Sequence, residues 1–279
     1  METIQISITD LQIEQKEVLI AQLIEAGFEG FEEDDHLLKA YINADLFDAG
    51  SFDTFIKEKG INFTQTVIKE TNWNEAWERG FQPIMVQSEA SLPPFVYIRA
   101  PFHVQLPHAT HDIIITPKMS FGTGHHATTY MMMEQMSHLN FTDKSIIDFG
   151  TGTGLLAILS EKMGAKQILA IDCDDWSILN AHENIAINHC EKINIVKEEV
   201  CVQKGFKADI LLANINLNII KNNLEAIINC CEEKTTILFS GMLVENENEI
   251  TSLLHSYEIL TDQVFYKDNW LLIVAKKGE

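Results

Sequence analysis

A glycine-rich turn limits the possible folds of this chain more than any other segment. It reads Asp148-Phe149-Gly150-Thr151-Gly152-Thr153-Gly154. The apolar residues 145–149 before it predict a buried strand, and residues 155–163 after it have the spacing of an amphipathic helix. Glycine lets the backbone turn tightly and lets a ligand approach where a Cβ would otherwise stand. A strand, a glycine turn and a helix in this order predict an α/β sheet that binds a ligand at the carboxyl end of its strands.

The chain after residue 143 alternates short apolar runs with amphipathic stretches. We predict strands at residues 145–149, 167–171, 193–196, 208–213, 235–239 and 271–275. We predict helices at residues 155–163, 176–188 and 217–230. This alternation is typical of a doubly wound, Rossmann-like sheet with helices on both faces.

The N-terminal part has a different pattern. Alternation over residues 3–8 predicts a strand, and a helical spacing follows before Gly27, so residues 1–66 are expected to form a small α+β domain. Residues 67–78 are expected to be a linker helix region, and residues 79–279 the main domain. Residues 1–70 contain 15 acidic and 5 basic side chains, a net charge of −10. This acidity is either a solvated face or a docking surface for a cationic partner.

The composition of the chain limits which partners, metal sites and cellular compartment we expect. The net charge of −21 argues against direct binding of nucleic acid or of an anionic membrane, and it favours a basic partner. The five cysteines form no C-x-x-C pair, and His103, His108, His111, His125 and His126 fit no standard zinc spacing, so we predict no metal site. The start of the chain lacks the pattern of a signal peptide, and we expect a cytoplasmic monomer.

The cofactor class follows from the residues around the turn. Asp172 ends the second predicted strand 22 residues after Gly150, where a carboxylate can accept both hydroxyls of an adenosine ribose. Dinucleotide enzymes prefer a small residue where this chain has Leu155, and no Gly-Lys-Ser/Thr sequence indicates a phosphate loop. S-adenosylmethionine has no pyrophosphate, and an acid two residues before the first glycine suits its amino-acid end. We therefore favour S-adenosylmethionine over a nicotinamide or flavin nucleotide.

A second glycine-rich segment carries a family resemblance. Phe-Gly-Thr-Gly-x-His-x-Thr-Thr at residues 121–129, together with the turn, Ala-Ile-Asp at 170–172 and Ala-Asn-Ile at 213–215, resembles the bacterial methyltransferases of ribosomal large-subunit protein eleven. Residues 73–77, 239–243 and 270–276 add weaker similarities. The family continues the Asn-Ile motif as Asn-Ile-Leu-Ala, whereas this chain has Asn216 and Asn218 there.

The resemblance implies a fold, a reaction and site residues. It implies a seven-stranded class I methyltransferase domain behind a small ferredoxin-like recognition domain. The reaction is transfer of methyl groups from S-adenosylmethionine to lysine side chains, and to an N-terminal amine, of a basic large-subunit ribosomal protein. The implied cofactor contacts are Thr129, Gly150, Gly152, Gly154, Asp172 and Asn214. We expect Asn214 also to accept a hydrogen bond from the amine that is methylated.

Two other functions stay open from the sequence. The same cofactor could serve an enzyme acting on a small molecule or a nucleic acid, or the chain could bind S-adenosylmethionine without turnover. For His126 we weigh a role as general base against a hydrogen bond that orders its loop. Thr128 or Thr129 is expected near the cap of the helix that follows.

Overall fold

The computed structural model of the chain describes residues 2–9, 13–34, 37–69, 80–87, 93–118, 122–201 and 205–278. These residues belong to two compact units, Met1–Trp77 and Glu78–Glu279. The domain limits expected from the sequence stay predictions. Most of the linker region, including Trp73 and Trp77, lies outside the described residues. The first unit has one sheet and one hydrophobic core, and the second has two sheets and two cores.

The first unit is a four-stranded antiparallel sheet with two helices, in the strand order β2-β3-β1-β4. Its elements are β1 (Glu2–Thr9), α1 (Ile13–Glu25), β2 (Gly30–Asp34), β3 (Leu37–Asn43), α2 (Ala49–Lys59) and β4 (Phe63–Lys69). Alternate residues of β1 and β3 are buried, and Ile6 lies opposite Ala40 across the ladder. The alternation that predicts the opening strand is thus the pattern by which the sheet buries one face.

No prediction covers strand β2. Its residues are Gly-Phe-Glu-Glu-Asp, and Phe31 is the side chain that packs against the core of this unit. An acidic edge strand whose sequence has one large apolar residue lacks the period-two signal on which strand prediction rests.

The second unit begins with a small sheet of three short strands. These are β5 (Ile84–Val86), β6 (Val96–Arg99) and β7 (His111–Ile114), with β5 antiparallel and β7 parallel to the central β6. Arg99 and Asp112 form an ion pair at 2.9 Å between the two parallel strands. All six prolines of the chain lie within residues 83–117, and their density there predicts short edge strands and turns, as this small sheet has.

The main sheet of the second unit has seven strands in the order β10-β9-β8-β11-β12-β14-β13. The strands are β8 (Ser145–Phe149), β9 (Gln167–Asp172), β10 (Ile193–Lys197), β11 (Ala208–Asn214), β12 (Cys231–Leu243), β13 (Ile259–Lys267) and β14 (Trp270–Lys277). Its helices are α3 (Ala127–Met136), α4 (Leu155–Lys162), α5 (Asp175–Ile187), α6 (Leu217–Asn229) and α7 (Glu247–Ser256). Strands β8 to β12 are parallel, and β14 runs antiparallel to both of its neighbours. The predicted α/β fold with a mostly parallel central sheet is confirmed.

Both faces of this sheet are buried. On β8, Ile146 belongs to the core that contains α3 and α4, whereas Ile147 belongs to the opposite core that contains α6 and α7. Strands covered on both sides are apolar at nearly every position, which explains why continuous apolar runs marked them in the sequence.

One strand of this sheet is longer than predicted, and another has no counterpart among the predicted strands. Strand β12 is longer than residues 235–239, with a register shift between Ser240 and Met242 at Gly241. Strand β13 is an edge strand with mostly exposed side chains and was not predicted. Among the described helices, none has the length and apolar character needed to cross a membrane.

Candidate functional site

The glycine turn lies between β8 and α4 and takes a conformation that requires glycine. Gly150, Gly152 and Gly154 have φ angles of 78°, 54° and 80°. A Cβ on Gly150 would stand 2.2 Å from Cγ2 of Ile215. The amides of Gly150 and Thr151 both donate to the carbonyl of Ile171 at 2.9 Å, so the turn is fastened to the end of β9. The result is a rigid turn whose backbone is accessible where side chains would block it.

Asp148 stands beneath this turn with its carboxyl group out of contact with water. One oxygen, Oδ2, accepts from the Thr151 hydroxyl at 2.6 Å and from the Ala157 amide at 3.1 Å. The other oxygen, Oδ1, is buried and has no hydrogen-bond partner among the described residues. Burial raises the pKa of Asp148 to about 7, and the negative charge of Asp172 acts in the same direction. A buried acceptor without a donor fits a ligand that brings an ammonium or another N–H group to the turn.

Asp172 ends β9 and is half-buried. Its Oδ2 accepts from the Gly152 amide at 2.8 Å, and its Oδ1 accepts from the Asp174 amide at 3.0 Å. These bonds fix the orientation of the carboxylate and leave each oxygen a further lone pair for a ribose hydroxyl. The sequence predicts that Asp172 lies at a strand end, but it does not predict the hydrogen bond between Asp172 and the glycine turn.

Asn214 ends β11 at the same edge of the sheet. Its Nδ2 donates to the hydroxyl of Thr129 at 3.1 Å, and Thr129 is a buried residue of α3. Its Oδ1 is buried and has no hydrogen-bond partner within the part of the chain that the structure describes. The structure therefore brings together two residues 85 positions apart and leaves an amide oxygen free to accept a hydrogen bond.

The backbone after Asn214 packs closely against two glycines, Gly150 of the turn and Gly241 of β12. Ile215 follows Asn214, and its amide donates to the carbonyl of Ser240 at 3.0 Å. A Cβ on Gly241 would come within 2.5 Å of the Ile215 carbonyl oxygen. Ile215 is thus enclosed between Gly150 and Gly241. The next residue, Asn216, caps α6 by accepting from the Ile219 amide at 3.0 Å.

The second glycine-rich segment leads into α3, whose N-cap is His126. The helix begins at Ala127, so Thr128 and Thr129 lie in its first turn, near the cap as expected, but the cap residue itself is His126. His126 Nδ1 lies 2.8 Å from the Thr128 hydroxyl, and its ring packs edge-on against Trp270 at 4.7 Å between centroids. These contacts fit the loop-ordering role for this histidine better than a role as general base.

Two of the histidines considered as metal ligands make contacts of other kinds. His103 Nδ1 accepts from the Ala100 amide at 3.1 Å, and His125 packs against Phe81 with 4.8 Å between ring centroids. Across the described residues, no three His, Cys, Asp or Glu side chains form a group that could hold a metal ion.

Comparisons of this chain with family models, known sequences and solved structures all indicate the same family. The family model described as "Ribosomal protein L11 methyltransferase (PrmA)" matches residues 2–278. Ribosomal protein L11 methyltransferase of Bacteroides thetaiotaomicron is 38% identical over 238 residues, which is 82% of each chain. The protein of that name from Chlorobaculum tepidum is 36% identical over 272 residues, covering 91% of this chain and 90% of that protein. The solved structure of ribosomal protein L11 methylase from Lactobacillus delbrueckii subsp. bulgaricus matches with a TM-score of 0.62 and 24% identity, over 70% of this chain and 99% of that chain.

Proposed function

The chain belongs to the ribosomal protein L11 methyltransferase family, and from this premise we propose that it methylates lysine side chains of ribosomal protein L11, with the N-terminal amine as a further acceptor. It is an S-adenosylmethionine-dependent methyltransferase that acts on a ribosomal protein. One observation carries the assignment of the site. The glycine turn, Asp172 and Asn214 all lie at one edge of the sheet. There Asp172 accepts from the turn, and the buried Oδ1 of Asn214 has no donor among the described residues.

The architecture supports a finer assignment of both units. A seven-stranded sheet with one antiparallel strand next to its edge supports a class I methyltransferase domain. The order β-α-β-β-α-β with an antiparallel sheet supports a ferredoxin-like domain. We assign substrate recognition to this first unit because it carries nearly half of the negative charge of the chain.

The residues at the sheet edge fit the cofactor. The glycine turn gives backbone access, Asp172 offers lone pairs to the ribose hydroxyls, and the orphan Oδ1 of Asp148 offers an acceptor toward the amino-acid end. When bound, S-adenosylmethionine supplies an electrophilic methyl group on a sulfonium. The chain itself must hold the attacking nitrogen in line with that group, and such positioning can contribute roughly 7 to 11 kcal/mol to the barrier reduction.

Asn214 is the residue assigned to the amine. A lysine attacks as the neutral amine, and deprotonation at pH 7 costs roughly 4.6 kcal/mol for a reference pKa near 10.4. An amide oxygen accepts an N–H from the amine without adding a negative charge that would favour the ammonium. With Nδ2 of Asn214 donating to the Thr129 hydroxyl, Oδ1 is the amide atom left to accept from the substrate.

The direct test is intact-mass analysis of purified, unmethylated L11 incubated with the enzyme and S-adenosylmethionine. We expect mass increments of one methylene each, and peptide mapping should place them on lysines and on the N-terminal residue. An L11 chain whose mass stays unchanged would contradict the substrate assignment, and increments on other side chains would contradict the lysine assignment.

A variant pair tests the role of Asn214. Asn214→Ala removes the proposed acceptor, and we expect kcat to fall about 10- to 100-fold, since a hydrogen bond to a group that gains charge contributes about 1.5 to 3 kcal/mol. The matched control is Asn218→Ala, which removes an exposed asparagine from the same segment. Equal single-turnover rates for the two variants would remove Asn214 from the mechanism.

A further inference from the structure

Thr153 connects the two glycine-rich segments of the chain. Its side chain is fully buried inside the glycine turn, with 0% exposure. Its hydroxyl donates to the carbonyl oxygen of Gly122 at 2.7 Å, across 31 residues of sequence. Gly122 has a φ of 91°, and a Cβ there would approach Thr153 Oγ1 to 3.4 Å. The hydroxyl of one loop thus holds the backbone of the other.

Asn184 forms a hydrogen bond with the backbone of Thr153. Its Nδ2 donates to the carbonyl of Thr153 at 2.8 Å, and its Oδ1 accepts from the Thr116 amide at 2.9 Å. Asn184 is fully buried, and its amide also contacts Asn180 Oδ1 at 2.8 Å. The side chain therefore ties the glycine turn to the segment just after β7.

The loop that Thr153 holds leads to the proposed acceptor site. Gly124 is buried, and a Cβ there would lie 2.8 Å from Ile98 Cδ1, so the loop packs closely on β6. His126 then caps α3, and Thr129 in the first turns of α3 bonds to Asn214. A continuous set of contacts runs from the glycine turn through residues 122–129 to the Asn214 amide.

We propose that Thr153, oriented by Asn184, is a positioning residue that holds the loop of residues 122–129 in register with the glycine turn. Through this bond, occupation of the glycine turn stabilises the loop, and the loop sets the position of Thr129 and Asn214. The effect of this bond on turnover rests on the proposed function, whereas its effect on the loop does not.

The test compares Thr153→Val, which keeps the shape and removes the donor, with Thr153→Ser, which keeps the donor. Thr235→Val is the matched control, because the buried Thr235 hydroxyl donates to the Ala208 carbonyl at 2.6 Å at the opposite end of the sheet. The measurement is amide hydrogen exchange of the peptide covering residues 122–129, with and without S-adenosylhomocysteine. Should Thr153→Val fail to fold, Thr153→Cys replaces it, because a thiol is only a weak donor.

In the parent protein, in Thr153→Ser and in Thr235→Val, we expect the peptide to exchange more slowly when S-adenosylhomocysteine is added. In Thr153→Val we expect about tenfold faster exchange without ligand and little slowing with it, as for loss of one buried hydrogen bond. Exchange in Thr153→Val that equals that of the parent protein, in both conditions, would overturn the proposal.

Kinetics give a second readout. We expect Thr153→Val to lower kcat about tenfold, with less than about a threefold change in S-adenosylhomocysteine affinity, and Thr153→Ser to restore kcat to within about twofold. Equal losses of kcat in Thr153→Val and Thr235→Val would count against a positioning role. The exchange result can be as expected even if neither the parent enzyme nor any variant methylates L11. In that case the proposed substrate is wrong, and the role of Thr153 in the loop is retained.

Discussion

The carboxyl group of Asp148 has lost its contact with water, and burial raises its pKa to about 7. An aspartate in an unfolded chain has a pKa near 3.9. Between about pH 4 and pH 7 the folded protein therefore binds more protons than the unfolded chain. Stability contributed by this group is present at low pH and is lost as the pH rises through about 7.

Asp148→Asn removes this titration while keeping an oxygen that can accept from Thr151 and Ala157. We expect the free energy of unfolding of the ligand-free protein to fall more between pH 5 and pH 8 in the parent protein than in the variant, because only the parent must ionise a buried group. Urea denaturation at both pH values measures the difference. Parallel pH dependences in the two proteins would contradict this account of Asp148.

The sequence predicted residues whose position is set by a strand end, such as Asp172 and Asn214, because parallel strands bring their carboxyl ends to one edge. It did not predict the hydrogen bonds of Thr153 or the pairing of Asn214 with Thr129. Those contacts join loops that are far apart in sequence, and no spacing rule encodes which side chain will face which carbonyl. The cap at His126 was missed because serine, threonine, aspartate and asparagine are the usual cap residues, and two threonines stood close by.

Among the secondary-structure elements, α5 has an unusual buried face. Asn180, Asn184 and Asn188 follow one another at a spacing of four residues and are all buried. Asn188 acts toward β7 as a neighbouring strand would, because its Oδ1 accepts from the Ile114 amide at 2.9 Å and its Nδ2 donates to the Ile114 carbonyl at 2.6 Å. The C-cap of α5 thereby pairs both backbone groups of Ile114 on the β7 edge of the three-stranded sheet.

Asn188→Ala should leave both backbone groups of Ile114 without their partner. We expect a loss of about 2 kcal/mol or more in the free energy of unfolding, since two unsatisfied buried groups cost about 1 to 3 kcal/mol each. Asn222→Ala, an exposed asparagine on α6, is the control and should change stability by less than about 0.5 kcal/mol. Similar midpoints for the two variants in chemical denaturation would show that water replaces the Asn188 contacts.

The sequence predicted most strands of the central sheet, including the edge strand β10, but not the edge strands β2 and β13. Strands such as β8 and β11 are buried at nearly every position and mostly apolar, because both of their faces are covered. Strands β2 and β13 lie at sheet edges: β2 has only one apolar side chain in its sequence, and β13 has mostly exposed side chains, so no periodic apolar signal marks them. The same argument explains the N-terminal extension of β12 beyond its predicted apolar centre, because residues 232–234 have exposed side chains.

For the whole molecule, the distribution of charge bears on substrate choice. The chain has a net charge of −21, and residues 1–70 hold −10 of it. Fields of this kind accelerate and orient the encounter with a basic protein, but they are screened by salt. The alternative is a solvated acidic face without a docking role.

Steady-state kinetics at two ionic strengths separate these alternatives. If the acidic unit docks the substrate, KM for L11 should rise severalfold when ionic strength increases from about 0.05 M to about 0.3 M, because the Debye length shortens. KM for S-adenosylmethionine should change far less over the same range and serves as the internal control. A KM for L11 that is insensitive to salt would assign the acidity to solubility alone.

Calorimetric titration with S-adenosylhomocysteine tests the central claim most directly, namely that the glycine turn and Asp172 form an adenosyl-binding edge of the sheet. We predict one binding event per chain, weakened about tenfold or more in Asp172→Ala, because the ribose hydroxyls then lose charge-assisted hydrogen bonds. Titration with NADH should give no heat of binding. The absence of binding heat with S-adenosylhomocysteine, together with saturable binding of NADH, would contradict the account.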